Sequence, residues 1–314
     1  MEFALALIAT ALHIALCFAG APLLWGLIGK LRALLLGQRG PSLTQPYLHL
    51  AKLLGKTSLL PETATELFTI WPLLAFLALA VVVMLLPGFC TGMLTNAASD
   101  YVTVIGLLAL ARTALMLGGL ETGFAAGGAG VARLALSSLL IEAVLLVILL
   151  VFASLAHSTN LDQVAVTLVA AHLGLPAAMG VGLAAMLVVA VISADDHSAP
   201  SQELGMMQEA LFLEYSGWPL ALLDYAKMIR LLVWMNLLIC IFIPFGMARA
   251  ADLFSWPGGL LLWIGKLICL ASGLAVFNVF RTRGRFLHVP YILGVALCLS
   301  LLASILLVSG RAGT

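Results

Sequence analysis

The chain has 314 residues, of which 63% are hydrophobic and 9% charged, with a net charge of +1 and a mean hydropathy of +1.16. A soluble domain carries roughly 25% charged residues, so a water-soluble globule is excluded, and a near-neutral chain offers no electrostatic basis for holding nucleic acid. The continuously apolar runs at 81–86 (VVVMLL) and 145–152 (LLVILLVF) exclude a β-barrel, whose strands alternate in polarity over about ten residues.

Because a helix needs about 20 apolar residues to cross roughly 30 Å of hydrocarbon, eight spans are expected, near 4–27, 68–88, 102–120, 135–156, 174–193, 228–248, 257–280 and 289–309. The reading is an all-α, polytopic protein forming a single integral membrane domain over 1–314. The first apolar run has no basic leader and no small-residue cleavage site, so it is read as a retained helix. If the odd-numbered connections share one side, Lys30, Arg32, Arg39, Lys52, Lys56, Arg133, Lys227, Arg230, Arg281, Arg283 and Arg285 gather there, with Arg249 and Arg311 opposite. The positive-inside rule makes that side cytoplasmic, puts both termini in the periplasm and makes the 1–2 and 5–6 connections large cytoplasmic loops of a bacterial inner-membrane protein. The first of these loops contains an amphipathic stretch, 47–54, between Pro46 and Gly55, suited to an interface or to docking.

Ionisable residues inside spans are costly, usually face the bundle interior and mark functional positions. Arg112, in LLALARTALML, and Glu142, in LSSLLIEAVLL, flank the turn at 121–134, each eight or nine residues into its span. Their depths are then matched at about 12 Å, which suits an ion pair or a shared hydrated cavity. The glycine-rich stretch 119–133 follows a transmembrane helix and lacks the lysine of a nucleotide loop, so close backbone packing explains it better than phosphate binding. The segment 194–217 (ADDHSAPSQELGMMQEALFLEYSG) concentrates Asp195, Asp196, Glu203, Glu209 and Glu214, with no Lys or Arg between Arg133 and Lys227. On a helix Glu203 and Glu214 would share a face about 16 Å apart with Glu209 elsewhere. That spacing suits a proton chain through water or a solvated acidic loop, not a compact metal site. Lys266, in GLLLWIGKLICL, is a lone mid-span lysine and a proton-pathway candidate, whereas His13 reads as a tolerated neutral histidine. The five cysteines are dispersed without a CxxC, which leaves no metal or cluster site in this chain.

Four stretches together resemble one family over most of the chain: QRGPSLTQPYLHLAKLL at 38–54, ALARTALMLGGLETGFAAGGAGVAR at 109–133, Glu142, and ELGMMQEALFLEYSG at 203–217. The family is the membrane subunit of group 4 [NiFe] hydrogenases, that of formate hydrogenlyase subunit 4 and hydrogenase-4 component C, within the superfamily of respiratory complex I subunit 1. The resemblance implies an eight-helix anchor without an active site of its own, part of an oxidoreductase complex whose [NiFe] centre and iron–sulfur clusters sit in the hydrogenase large and small subunits, with antiporter-like subunits beside it. It implies a proton- or sodium-coupling route through Glu121, Glu142, Glu203, Glu209 and Glu214, joined by Arg112 and Lys266 as charges within spans, and docking through Arg39, Lys52, Arg133 and Asp196. The chain departs from the family's hydrogenase members at Leu134 and Asn278, where acids are common, and at His197. Two other readings are the corresponding membrane subunit of an NADH:quinone oxidoreductase, disfavoured because ADDHSAP replaces an NRxPFD-type run, and a free-standing ion transporter, disfavoured by the lack of visible inverted repeats.

Overall fold

The computed structural model describes residues 2–61, 63–170 and 212–280, with positions 294, 295, 297, 298, 301, 302 and 305 beyond them. Lipid offers no hydrogen-bond partners, so a spanning backbone must satisfy its own polar groups, and the described residues are accordingly helical nearly throughout. Eight helices are described: α1 (Glu2–Leu35), α2 (Gln45–Leu54), α3 (Ile70–Leu85), α4 (Tyr101–Glu121), α5 (Ala125–Ala156), α6 (Leu161–Ala170), α7 (Gly217–Phe242) and α8 (Trp256–Phe280). Among the described residues, five segments are long and apolar enough to cross a bilayer: Phe3–Leu35, Glu66–Leu85, Tyr101–Glu121, Gly127–Val147 and Leu253–Val276. The expected span at 174–193, and most of that at 289–309, lie outside the described residues.

The core is built around α7. From Met228 to Ile241 its side chains are buried on every side, and it packs against α1, α2, α3, α6 and α8. A helix apolar all round belongs in the centre of a bundle. By contrast α1, 34 residues and about 51 Å long, exposes Phe3, Leu7, Ile8 and Leu23 on one side.

Two boundaries differ from the sequence reading. Helix α5 begins at Ala125, so the turn after α4 shrinks to 122–124. The glycines there are packing residues: a Cβ on Gly127 would sit 2.5 Å from the Gly119 carbonyl oxygen, so the two helices cross closely only with glycine at that point. Helix α7 starts at Gly217, eleven residues before the expected 228, and ends at Phe242. Ile243 precedes Pro244 and leaves the helical region at φ −132°, ψ 53°, as the residue before a proline tends to.

Beyond that end the chain runs extended, and Ala248–Arg249 forms a two-residue parallel ladder with Cys90–Thr91. The segments after α3, after α5 and after α7 thus converge at one end of the bundle. At the other end meet the segments after α2 and after α4 and the turn before α7. The Leu59 amide donates to Ser216 Oγ (2.8 Å), and Thr63 Oγ1 donates to the Thr122 carbonyl (3.1 Å).

Candidate functional site

Arg112 and Glu142 form the central ion pair. Nη2 of Arg112 lies 3.6 Å from Oε1 of Glu142, with the arginine side chain 7% exposed and the glutamate 33%. Because α5 starts early, the depths of the two Cα atoms are not matched as expected. The side chains close the offset, since helical side chains lean toward the N-terminus of their own helix and α4 and α5 run in opposite directions. The lean of Arg112 is visible in the bond from its Nε to the Leu108 carbonyl one turn back (3.3 Å). Arg230 of α7, itself buried, adds a second guanidinium charge close enough to act on Arg112. Arg112 thus feels an attractive charge from Glu142 and a repulsive one from Arg230.

The second cluster lies where α4 ends. Glu121 accepts hydrogen bonds from Thr65 Oγ1 and from Trp71 Nε1. Tyr215 stacks face to face on Phe68 at 4.0 Å and 3°, and its hydroxyl lies where a Cβ of Gly118 would be. Burial pushes the Tyr215 phenol above its ordinary range, with the charges of Glu121 and Glu214 adding to the effect. Glu214 Oε2 is buried with no hydrogen-bond partner among the described residues. On the start of α7, Asp224 lies 3.2 Å from His49 of α2 and 3.3 Å from Lys227, whose Nζ also sits 4.0 Å above the Phe212 ring. Gly217 holds the entry to α7 at φ +63°, where a Cβ would be 2.8 Å from the Thr57 and Ser58 backbone.

Lys266 is placed differently. Its Nζ donates to the Ile243 carbonyl (2.7 Å) and to that of Phe245, so it caps the frayed end of α7, where the helix dipole favours a cation. His13 is fully buried 3.5 Å from Cys17 Sγ, in a network in which Asn236 Nδ2 donates to Cys17 Sγ (3.7 Å) and Trp263 Nε1 to Asn236 Oδ1 (2.9 Å). This stitches α1, α7 and α8 together. Of the expected docking residues, Arg39 and Lys52 are exposed. Asp196, Glu203, Glu209 and the Arg133 side chain lie outside the described residues. Sequence reasoning passed over Trp71, Tyr215 and Asp224. Asp224, Lys227 and Arg230 recur at a spacing of three, and starting the helix at Gly217 would have placed them near one another on one helix.

The model of the family described as NADH dehydrogenase matches residues 7–309. The chain belongs to that NADH dehydrogenase family. Among its relatives within the family, hydrogenase-4 component C of Escherichia coli (strain K12) is 30% identical over 92% of each chain. Formate hydrogenlyase subunit 4 of the same organism is 30% identical over 84% of this chain and 85% of its own. The fold is also that of a chain in the membrane-bound sulfane sulfur reductase, an archaeal respiratory membrane complex, with a TM-score of 0.78 at 16% identity over 96% of this chain and 98% of the other. This NADH dehydrogenase family member is a multi-pass membrane protein.

Proposed function

We propose that the chain is the membrane-anchoring and ion-coupling subunit of a multisubunit membrane-bound [NiFe] hydrogenase or formate hydrogenlyase-type complex. The 30% identity to two subunits named for such systems supports the choice of partner. Redox chemistry then belongs to cytoplasmic large and small subunits carrying the [NiFe] centre and iron–sulfur clusters, and ions pass this chain and antiporter-like subunits beside it.

The observation that supports the coupling role is the Arg112–Glu142 pair, its guanidinium buried, beneath the Glu121–Tyr215–Glu214 cluster. In this reading a change of charge at the docked redox subunits biases protonation of Glu214, together with Glu203 and Glu209, and Arg112 relays the altered field to Glu142. Glu121, held by Thr65 and Trp71, fixes the end of α4 against the docking side.

Glu142→Gln and Glu214→Gln, introduced into the full complex, test this reading. The expected result is assembled complex with intact redox centres and impaired ion movement per turnover in proteoliposomes. Normal ion movement in both variants overturns the coupling role. Mass spectrometry of the gently solubilised complex tests the partner: NADH-oxidising and quinone-dependent subunits in place of a [NiFe] subunit would move the chain to a quinone-reducing complex.

A further inference from the structure

A proline inside a helix removes one backbone donor and presses its ring on the carbonyl four residues back. In α2, α3, α7 and α8 the prolines Pro46, Pro72, Pro219 and Pro257 fall in the first turn, where that donor has no helical partner in any case. Pro22 is the exception among the described residues, since it stands well inside α1, which runs from Glu2 to Leu35. The Phe18 carbonyl therefore lacks its usual donor, and lipid supplies none, so neighbouring groups must.

Two tyrosines supply the donors. Tyr225 of α7 donates its hydroxyl to the Phe18 carbonyl at 2.9 Å, and Tyr47 of α2 donates to the next carbonyl, that of Ala19. The Leu23 amide, whose ordinary partner in a helix is the Ala19 carbonyl, is near enough to act on the same Tyr47 oxygen. A third contact closes the figure, because His49 of α2 lies 3.2 Å from Asp224, the neighbour of Tyr225 on α7. Thus α1, α2 and α7 are joined pairwise in a ring beside the proline. The rings of Phe18, Phe76 and Tyr225 pack there with centroids 6.2, 6.0 and 5.6 Å apart.

Pro22 divides α1 into two differently held parts. Before it, the helix is stitched to α7 and α8 through His13, Cys17, Asn236 and Trp263. After it, the helix is clasped by its own continuation toward α2: a Cβ on Gly26 would lie 2.8 Å from the Leu43 carbonyl oxygen, and one on Gly40 would lie 3.0 Å from the Lys30 backbone. The part after Pro22 also places Leu24 and Ile28 in the core. We propose that Pro22 is a hinge latched by the hydroxyls of Tyr47 and Tyr225, so that the seating of α2 sets the bend of α1. With α2 seated the latch is closed. Lifting α2 withdraws Tyr47, frees the Ala19 carbonyl and swings residues 23–35 about the proline, carrying Leu24 and Ile28 with them. A displacement at α2 thereby reaches the core of the bundle. The device does not depend on the coupling role of Arg112 and Glu142.

The test uses the assembled complex in nanodiscs, spin-labelled through Leu35→Cys and Leu120→Cys, two exposed positions at the ends of α1 and α4, with the exposed Cys269 and Cys298 changed to serine. Pulsed electron spin resonance reads the distance between the labels. A bend of about 20° over the roughly 20 Å from Pro22 to Leu35 displaces the end of α1 by about 7 Å. Tyr47→Phe is expected to raise the population of the displaced distance about fivefold, the scale of one neutral hydrogen bond. Tyr225→Phe is expected to act in the same direction and serves if the Tyr47 variant does not assemble. Pro22→Ala returns the missing amide to the helix, so in that background neither tyrosine change is expected to alter the distance. An unchanged distribution in both tyrosine variants overturns the proposal. An equal shift with and without Pro22 also overturns it, because the tyrosines would then be packing residues with no tie to the hinge.

Discussion

The α4–α5 contact and the frayed end of α7 each bring one cation to a partner inside the membrane region, and the partners differ in kind. Arg112 faces a carboxylate, which can gain or lose a proton, whereas Lys266 faces main-chain carbonyl oxygens, which cannot. From sequence the two residues look alike, each a charge within an apolar run. The structure separates an ion pair between two helices from a cation that closes a helix end.

The largest effect is expected from Glu142→Gln. It leaves a buried guanidinium without its counter-charge, and breaking a fully buried pair costs roughly 3–5 kcal/mol. With Glu142 a third exposed, about 1–3 kcal/mol is expected, read as a lower thermal midpoint, together with a fall of about tenfold or more in ion movement per turnover, within the scale of a lost acid–base group. The double change Arg112→Met, Glu142→Met recovers the midpoint without recovering ion movement. Full recovery of both would make the pair purely structural and erase the contrast.

Lys266→Met comes next. Loss of a charged donor costs roughly 1.5–3 kcal/mol when buried, so about 1–2 kcal/mol is expected for this half-exposed side chain, with ion movement per turnover unchanged and Lys266→Arg partly restoring the midpoint. If Lys266→Met abolished ion movement at unchanged stability, the two cations would belong to one class. Gly118→Ala probes the cluster above Arg112: its Cβ strikes the Tyr215 hydroxyl, at about 1 kcal/mol after relaxation, and Tyr215→Phe in the same chain relieves it. A midpoint unchanged in Gly118→Ala would mean that the Tyr215 contact is loose. The smallest effect is one of pH. Burial holds the Asp162 carboxyl above its ordinary value, so the folded chain keeps that proton to higher pH than the unfolded chain. Its contribution to stability is complete below the ordinary value and lost as pH rises through the raised one. The midpoint of lipid-free protein should fall across that interval, and in Asp162→Asn this part of the fall should vanish.

Helix class, the positions of α1, α3, α4 and α8, and the amphipathic α2 were legible because long apolar runs and the Pro46 and Gly55 brackets are local signals. Arg112 and Glu142 were legible as a pair for the cost of charge in lipid, although not their geometry, which rests on side-chain lean across antiparallel helices. The start of α7 was not legible: Asp224, Lys227 and Arg230 lower the hydropathy of its first turns and resemble loop, and only burial against α2 and α3 makes them helix. Trp71 and Tyr215 were invisible because their partners, Glu121 and Phe68, lie 50 and nearly 150 positions away in the chain. The contacts of Lys266 were not legible because its partners are backbone atoms, which no residue pattern announces.

The ladder between Cys90–Thr91 and Ala248–Arg249 bears on how the protein is made. Its strands are 157 residues apart in the chain, so at about 5–20 residues per second of synthesis the first strand waits roughly 8–30 s for its mate. During that time the Phe89 and Thr91 carbonyls, which end up accepting from Ala248 and Ala250, must be held by water or by the insertion machinery. A ribosome stalled before Ala248 would therefore leave this end of the bundle unlatched, and protease attack on the 88–100 connection during synthesis should cease abruptly once the second strand has emerged.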